Sequence, residues 1–216
     1  MNANNLKLSL AILLLTLLLA IALWWPTPPP PVADRPIPEA LRPLLLSEAR
    51  PLTPFTLQDQ DGNPFTLEQL RGGWSLLFFG YTHCPDICPT TLGMLKGVAK
   101  KLEAQPEVRA DSRIFFVSVD PKRDTLPHLK EYIAYFDPDF VAVTGERGEI
   151  DNLSRQLGAM YMFDGDSTGN DYIVNHSATV ALVDPQGRWV ARFNPPHTVT
   201  KFSSDYLQLR NFLQQH

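Results

Sequence analysis

Basic residues form no run in this chain of 216 residues, and acidic side chains outnumber them, 23 Asp and Glu against 19 Lys and Arg, for a formal net charge of −4. A surface that tracks a phosphate backbone needs clustered cations, so no nucleic-acid partner is expected. Cysteine is scarce too, with two in all. A chain of this length buries an ordinary core without staples, so those two have to be weighed for chemistry rather than for stability. Long apolar runs are limited to one, and no segment repeats internally.

That run, Leu8 to Trp25, carries no charge. As a helix it would be about 27 Å long at roughly 1.5 Å per residue, close to the ~30 Å hydrocarbon core of a bilayer. Lys7 and the amino terminus precede it, and Trp24 and Trp25 close its far end like interfacial anchors. The expected organisation is a cytoplasmic N-terminus (1–7), a single-pass transmembrane signal-anchor helix (8–25), a Pro-rich linker (26–51) and a globular domain (52–216) outside the cytoplasm. Ala20-Ile21-Ala22 also fits the small-x-small pattern of signal-peptidase sites, and cleavage there would export the same domain. Pro26, Pro28 to Pro31, Pro36 and Pro38 favour an extended polyproline spacer.

From Leu52 onward the pattern alternates strand and helix. Phe55 to Gln58 and Pro64 to Leu67 flank Asp61-Gly62, a hairpin turn, and Trp74 to Tyr81 reads as a central strand covered on both faces. Leu92, Leu95, Val98, Ala99 and Leu102 then recur at helical spacing. A strand at Ile114 to Val119, a helix near Leu126 to Phe136, a strand at Phe140 to Val143 and a helix near Glu149 to Leu157 follow. Ala178 to Asp184 and Arg188 to Phe193 form a last hairpin before a closing helix, Ser204 to Gln214. The fold class is α/β, a mixed sheet with helices on both faces.

Cys84 and Cys88 stand where the Trp74 strand gives way to a helix, the edge at which α/β sheets collect ligands. A loop this short makes a poor staple, roughly 2 kcal/mol on the chain-entropy model against about 4.7 for a 100-residue loop. Pro85 and Pro89 follow the two cysteines and imply a tight turn, with Pro89 opening the helix at its first position. Both sulfurs would then face the positive helix end, which favours thiolate. Thiolates serve disulfide exchange and soft metals alike, and the pair alone does not choose.

A metal needs a third donor. His128 reads as solvent-facing beside Lys130 and Glu131, His197 lies in a loop after Pro195-Pro196, and His216 ends the chain. His83 adjoins Cys84 but should point to the opposite face, in a hydrogen bond or packing role. His176 closes a polar, Gly-containing loop (165–175) just before an apolar strand, and is the histidine to weigh as a ligand.

Gly80-Tyr81-Thr82-His83-Cys84-Pro85-Asp86-Ile87-Cys88-Pro89, Val119-Asp120-Pro121-Lys122-Arg123-Asp124-Thr125, Phe136-Asp137-Pro138, His176-Ser177 and Asp184-Pro185-x-Gly187 together resemble the Sco/SenC family, copper-binding proteins of cytochrome c oxidase assembly. The resemblance runs from about Leu52 to the C-terminus. It implies a thioredoxin-like fold, with copper held by Cys84, Cys88 and His176, and as partner the copper-bearing subunit of the oxidase. With the Leu8 to Trp25 run as anchor, the expected location is the inner (cytoplasmic) membrane, with the domain on the periplasmic side. No proline stands in Val174 to Ala178, where thioredoxins usually carry a cis-proline. Two departures are Asn175, where many relatives have Asp, and Leu126, where a proline often follows the Asp-Thr pair.

Two thiolates and an imidazole are a soft set suited to Cu(I) and able to hold Cu(II), whereas structural zinc would want a fourth ligand. Asp86 could supply one, but a docking or capping role suits its place in the turn better. Met160 and Met162 read as core filling among apolar neighbours. The expected function is a copper metallochaperone for the dinuclear centre of the oxidase. The alternatives are a thiol-disulfide oxidoreductase working through Cys84 and Cys88, and a copper or redox sensor.

Overall fold

The fold is known from a computed structural model, which describes residues 37–165, 169 and 172–215 together with Thr16. Apart from Thr16, the expected membrane helix lies outside the described residues, as do His216 and residues 26–36 of the linker. Among the described residues no helix is long and apolar enough to cross a membrane.

Eight strands form one mixed sheet, in spatial order β1 (Leu45–Pro51), β10 (Arg188–Phe193), β9 (Val180–Val183), β4 (Trp74–Gly80), β5 (Ser112–Ser118), β6 (Val141–Thr144), β2 (Thr56–Asp59) and β3 (Pro64–Thr66). The centre, β4 to β6, is parallel, while β9, β10 and β1 on one side and β2 and β3 on the other run antiparallel. Two further strands, β7 (Tyr161–Asp164) and β8 (Ile173–His176), pair with each other in a separate two-stranded sheet. The helices are α1 (Leu67–Leu70), α2 (Ile87–Leu102), α3 (Pro106–Ala110), α4 (Leu126–Phe136), α5 (Arg147–Gln156) and α6 (Val199–Gln214).

Every residue of β4 is buried because both faces of the sheet are covered, which is why its sequence is a continuous apolar run rather than an alternation. Leu76 and Phe78 face one core with Leu92, Leu95 and Val98 of α2, Leu129 and Ile133 of α4, and Tyr206 of α6. Leu77 and Phe79 face the other with Phe115, Val117, Ile150 and Leu153 of α5, and Val174 of β8. That period of two places α2 directly behind the carboxyl end of β4, where the cysteines fall.

Four expectations need correction. The sheet begins before Leu52: Leu41 is buried, and β1, inside the expected linker, pairs with β10 through Leu45, Arg50 and Pro51. It is an edge strand with mostly exposed side chains, so its composition resembles a spacer. Pro89 is not the first helical residue, since α2 starts at Ile87 after Asp86; first-turn amides have no helical partner, so a proline there costs no bond. Residues 173–176 are not loop but strand β8. Met160 and Met162 are not core but 80% and 65% exposed, on the outer face of the β7–β8 hairpin.

Candidate metal centre

The end of β4 and the start of α2 make a pocket for one sulfur. Cys88 lies in the first turn of α2 with no exposed surface, directly over Gly80. A Cβ on Gly80 would lie 2.4 Å from Cys88 Sγ, 2.9 Å from Phe116 Cε2 and 3.5 Å from His176 Cε1. The missing side chain is therefore what admits the sulfur beside the Phe116 ring, while the imidazole would meet a Cβ only in ordinary contact. Cys84, half-buried at the lip, accepts the Cys88 amide on its sulfur at 3.4 Å, the helix-end interaction that favours a thiolate.

His176 comes from the far side of the sheet, at the end of β8, and sets Nε2 3.1 Å from Cys88 Sγ. Its ring packs edge-on to Tyr81 at 5.8 Å and to Phe78 at 5.9 Å. Nδ1 lies 3.2 Å from the carbonyl oxygen of Ser177, which can only accept, so Nδ1 carries the proton and the Nε2 lone pair faces the sulfurs. Cys84 Sγ, Cys88 Sγ and one His176 nitrogen all lie within 4.8 Å of one another. Ligands about 2.0–2.3 Å from a shared ion are themselves roughly 3.5–4 Å apart, so the three donors stand near the spacing that a shared ion would need.

The two sulfurs are not equivalent. Cys84 is lowered to about 4 by a hydrogen bond from Cys88, with further help from the Asp86 and Cys88 amides, against the opposing effect of burial. Burial pushes the Cys88 thiol up, and the neighbouring Cys84 pushes it further. At neutral pH the pair is one thiolate at the surface and one thiol beneath it. The expectation of two thiolates at the helix end thus holds for Cys84 alone, because Cys88 sits too deep in apolar packing to ionise beside a charge.

Asp86 is exposed at the start of α2, caps no amide and is absent from the donor group. His83 is about half exposed and bonded to Thr82 Oγ1 at 3.0 Å. His128 is solvent-facing as expected, yet its Nε2 reaches the same hydroxyl at 2.9 Å. His197 Nε2 donates to the Ala178 carbonyl at 2.7 Å.

Sequence reasoning assigned no role to Gly80, Thr82 or Asp124. Asp124 is fully buried and accepts from the Thr82 amide at 3.0 Å, the Thr82 hydroxyl at 2.6 Å and the Ser118 hydroxyl at 2.6 Å, which pins the approach to the cysteine turn. All three residues stand inside the motifs quoted for the resemblance, which was the available signal.

The family model described as SCO1/SenC matches residues 46–209. A SCO2-like protein of Rickettsia prowazekii is 38% identical over 141 residues, 65% of this chain and 67% of that one. Arabidopsis thaliana ScoI, solved with copper bound, superposes with a TM-score of 0.67 at 34% identity, over 76% of this chain and 98% of that one. BsSco, a member of the Sco family of cytochrome c oxidase assembly proteins in which a disulfide switch has been identified, superposes with a TM-score of 0.57 at 29% identity, over 73% of this chain and 91% of that one.

Proposed function

The chain belongs to the SCO1/SenC family, and from that premise we propose that it is a copper metallochaperone that takes one copper ion as cargo on Cys84, Cys88 and His176. The observation that carries this is the clustering of two sulfurs and one histidine nitrogen within 4.8 Å, with no carboxylate in the group. Such a donor set is soft and three-coordinate, which suits Cu(I), holds Cu(II) and leaves a structural zinc one ligand short. The asymmetry of the pair suits loading and release. Cys84 is charged and accessible, so it makes the first bond; Cys88 gives up its proton as the second forms; His176 closes the set. Release reverses that order, and an acceptor's ligands can enter at the exposed Cys84 edge.

The acceptor in this reading is the copper-bearing subunit of cytochrome c oxidase, in keeping with BsSco's membership of a family of cytochrome c oxidase assembly proteins. Leu8 to Trp25 would hold the domain on the outer face of the inner membrane, with the linker as spacer. A protein that starts near Leu23 in its mature form would remove the anchor and leave the metal site standing.

The same asymmetry favours a second reading, a thiol-disulfide oxidoreductase. A low-pKa exposed Cys84 would attack a substrate disulfide, and Cys88 would resolve the mixed disulfide once Cys84 is bonded and no longer charged. The readings part over the metal. Equal exposure to copper and zinc, followed by removal of loosely held ions, should leave one copper per reduced chain and none on the chain with a Cys84–Cys88 disulfide. Undiminished copper on the oxidised chain would rule the site out.

A further inference from the structure

His176 is carried on a hairpin that, among the described residues, no hydrogen-bonded ladder joins to the eight-stranded sheet. A two-stranded hairpin has little stability of its own. Yet Nε2 stands 3.1 Å from a sulfur fixed in α2, so contacts outside the ladder must hold β8 at that height.

Beside the apolar packing of Tyr172 and Val174, the loop from β5 to α4 supplies polar ones. Asp120 is buried and accepts from Arg123 Nε at 2.5 Å and from the Tyr172 hydroxyl at 2.6 Å. Arg123 donates from Nη1 to the Tyr172 carbonyl at 2.9 Å and lies over the Tyr172 ring, 3.6 Å from its centroid. Tyr172 directly precedes β8, and alternation puts Tyr172, Val174 and His176 on one face of it. Arg123 also lies 5.4 Å from the Tyr81 ring centroid, and Tyr81 in turn meets His176 edge-on. Four residues along the same loop, Asp124 pins Thr82 and with it the cysteine turn.

We infer that Asp120, Arg123 and Tyr172 are positioning residues that set His176 over the two sulfurs, so that one loop, 120–124, registers both halves of the metal site without donating a ligand. The inference rests on the copper reading above. Stability alone is a poor reason for the arrangement, because the attraction within a buried carboxylate–guanidinium pair is largely offset by its desolvation. Fixing a geometry is what such a pair does well: Arg123 grips Asp120, the Tyr172 backbone and the Tyr172 ring at once, which a lysine's single ammonium cannot reproduce.

The test uses the copper-loaded full chain with Tyr172→Phe, which keeps the ring and removes one bond, and with Arg123→Lys, which keeps the charge and removes the fork. Copper dissociation to a competing chelator, nitrogen hyperfine coupling of the Cu(II) form and the Cys84–Cys88 midpoint potential would be measured on each. Loss of outer-sphere partners of metal ligands typically weakens affinity about 10- to 100-fold. Both variants should therefore release copper at least about tenfold faster with weakened nitrogen coupling, Arg123→Lys more than Tyr172→Phe, at an unchanged dithiol potential. Folded variants with wild-type release and wild-type coupling would overturn the inference, as would a lowered melting temperature with an unaltered copper site. A wild-type chain that shows no nitrogen coupling would instead sink the three-donor reading itself.

Discussion

Replacing Gly80 with alanine adds one methyl group at the place where the site has least room. The new Cβ would stand 2.4 Å from Cys88 Sγ and 2.9 Å from Phe116 Cε2. Non-bonded heavy atoms settle about 3.5–4.0 Å apart, so the sulfur, the strand or both must move by roughly 1 Å. The ring of Phe116 cannot yield freely, because it is fully buried and packs against Phe78 and Tyr132. Overpacking of this kind costs about 1–3 kcal/mol of stability. Ligand distances at a metal site tolerate only ±0.2 Å or so, hence copper binding should suffer beyond the loss of stability. Chelator competition and thermal melting on the same Gly80→Ala preparation separate the two effects. The expected result is a folded chain with copper affinity down by at least about tenfold, the lower end of losses seen when a metal ligand's support is disturbed. Wild-type affinity and an unchanged Cu(II) spectrum would refute the close packing of Gly80, Cys88 and Phe116.

Three further outcomes follow from the same geometry. At neutral pH Cys84 is already ionised and Cys88 is not, so copper uptake should release close to one proton, read with an indicator in weak buffer; affinity should fall with falling pH, and more steeply below about 4, where Cys84 also takes a proton. Release of two protons at neutral pH would contradict the assigned thiolate. Iodoacetamide at mildly acid pH should label Cys84 well ahead of Cys88, and equal labelling by mass spectrometry would put the low pKa on the wrong sulfur. Leu95→Ala, at a fully buried position of α2, should cost about 2–5 kcal/mol in denaturant unfolding, and a loss below about 1 kcal/mol would contradict its place in the core.

Burial on both faces made β4 legible as an uninterrupted apolar run, and α4 spans the expected Leu126 to Phe136 because its three buried positions recur at helical spacing. β1 was not legible: no residue of Leu45–Pro51 is fully buried, and an edge strand held by backbone bonds leaves no pattern of apolar side chains. The β7–β8 hairpin escaped for a related reason. Tyr161 and Phe163 turn inward while Met162 and Ile173 turn to solvent, so apolar residues on both sides erase the alternation. For the site, the cysteines were legible from their place at the end of a buried strand and His176 from the loop it closes, with the motifs completing the set, whereas the role of Gly80 shows only in the sulfur packed above it. Asp120 and Arg123 stood in a quoted motif with nothing to say that the residue they grip, Tyr172, lies beside the third donor.

His176→Ala is the decisive variant, since that residue separates a metal site from a bare dithiol. Copper stoichiometry, affinity and the Cu(II) spectrum would be measured beside the rate of disulfide reduction. The variant should stay folded and still form the Cys84–Cys88 disulfide, while binding copper more weakly and losing its nitrogen hyperfine coupling. A variant matching the wild type in stoichiometry, affinity and spectrum would contradict the three-donor centre and leave the oxidoreductase reading in its place.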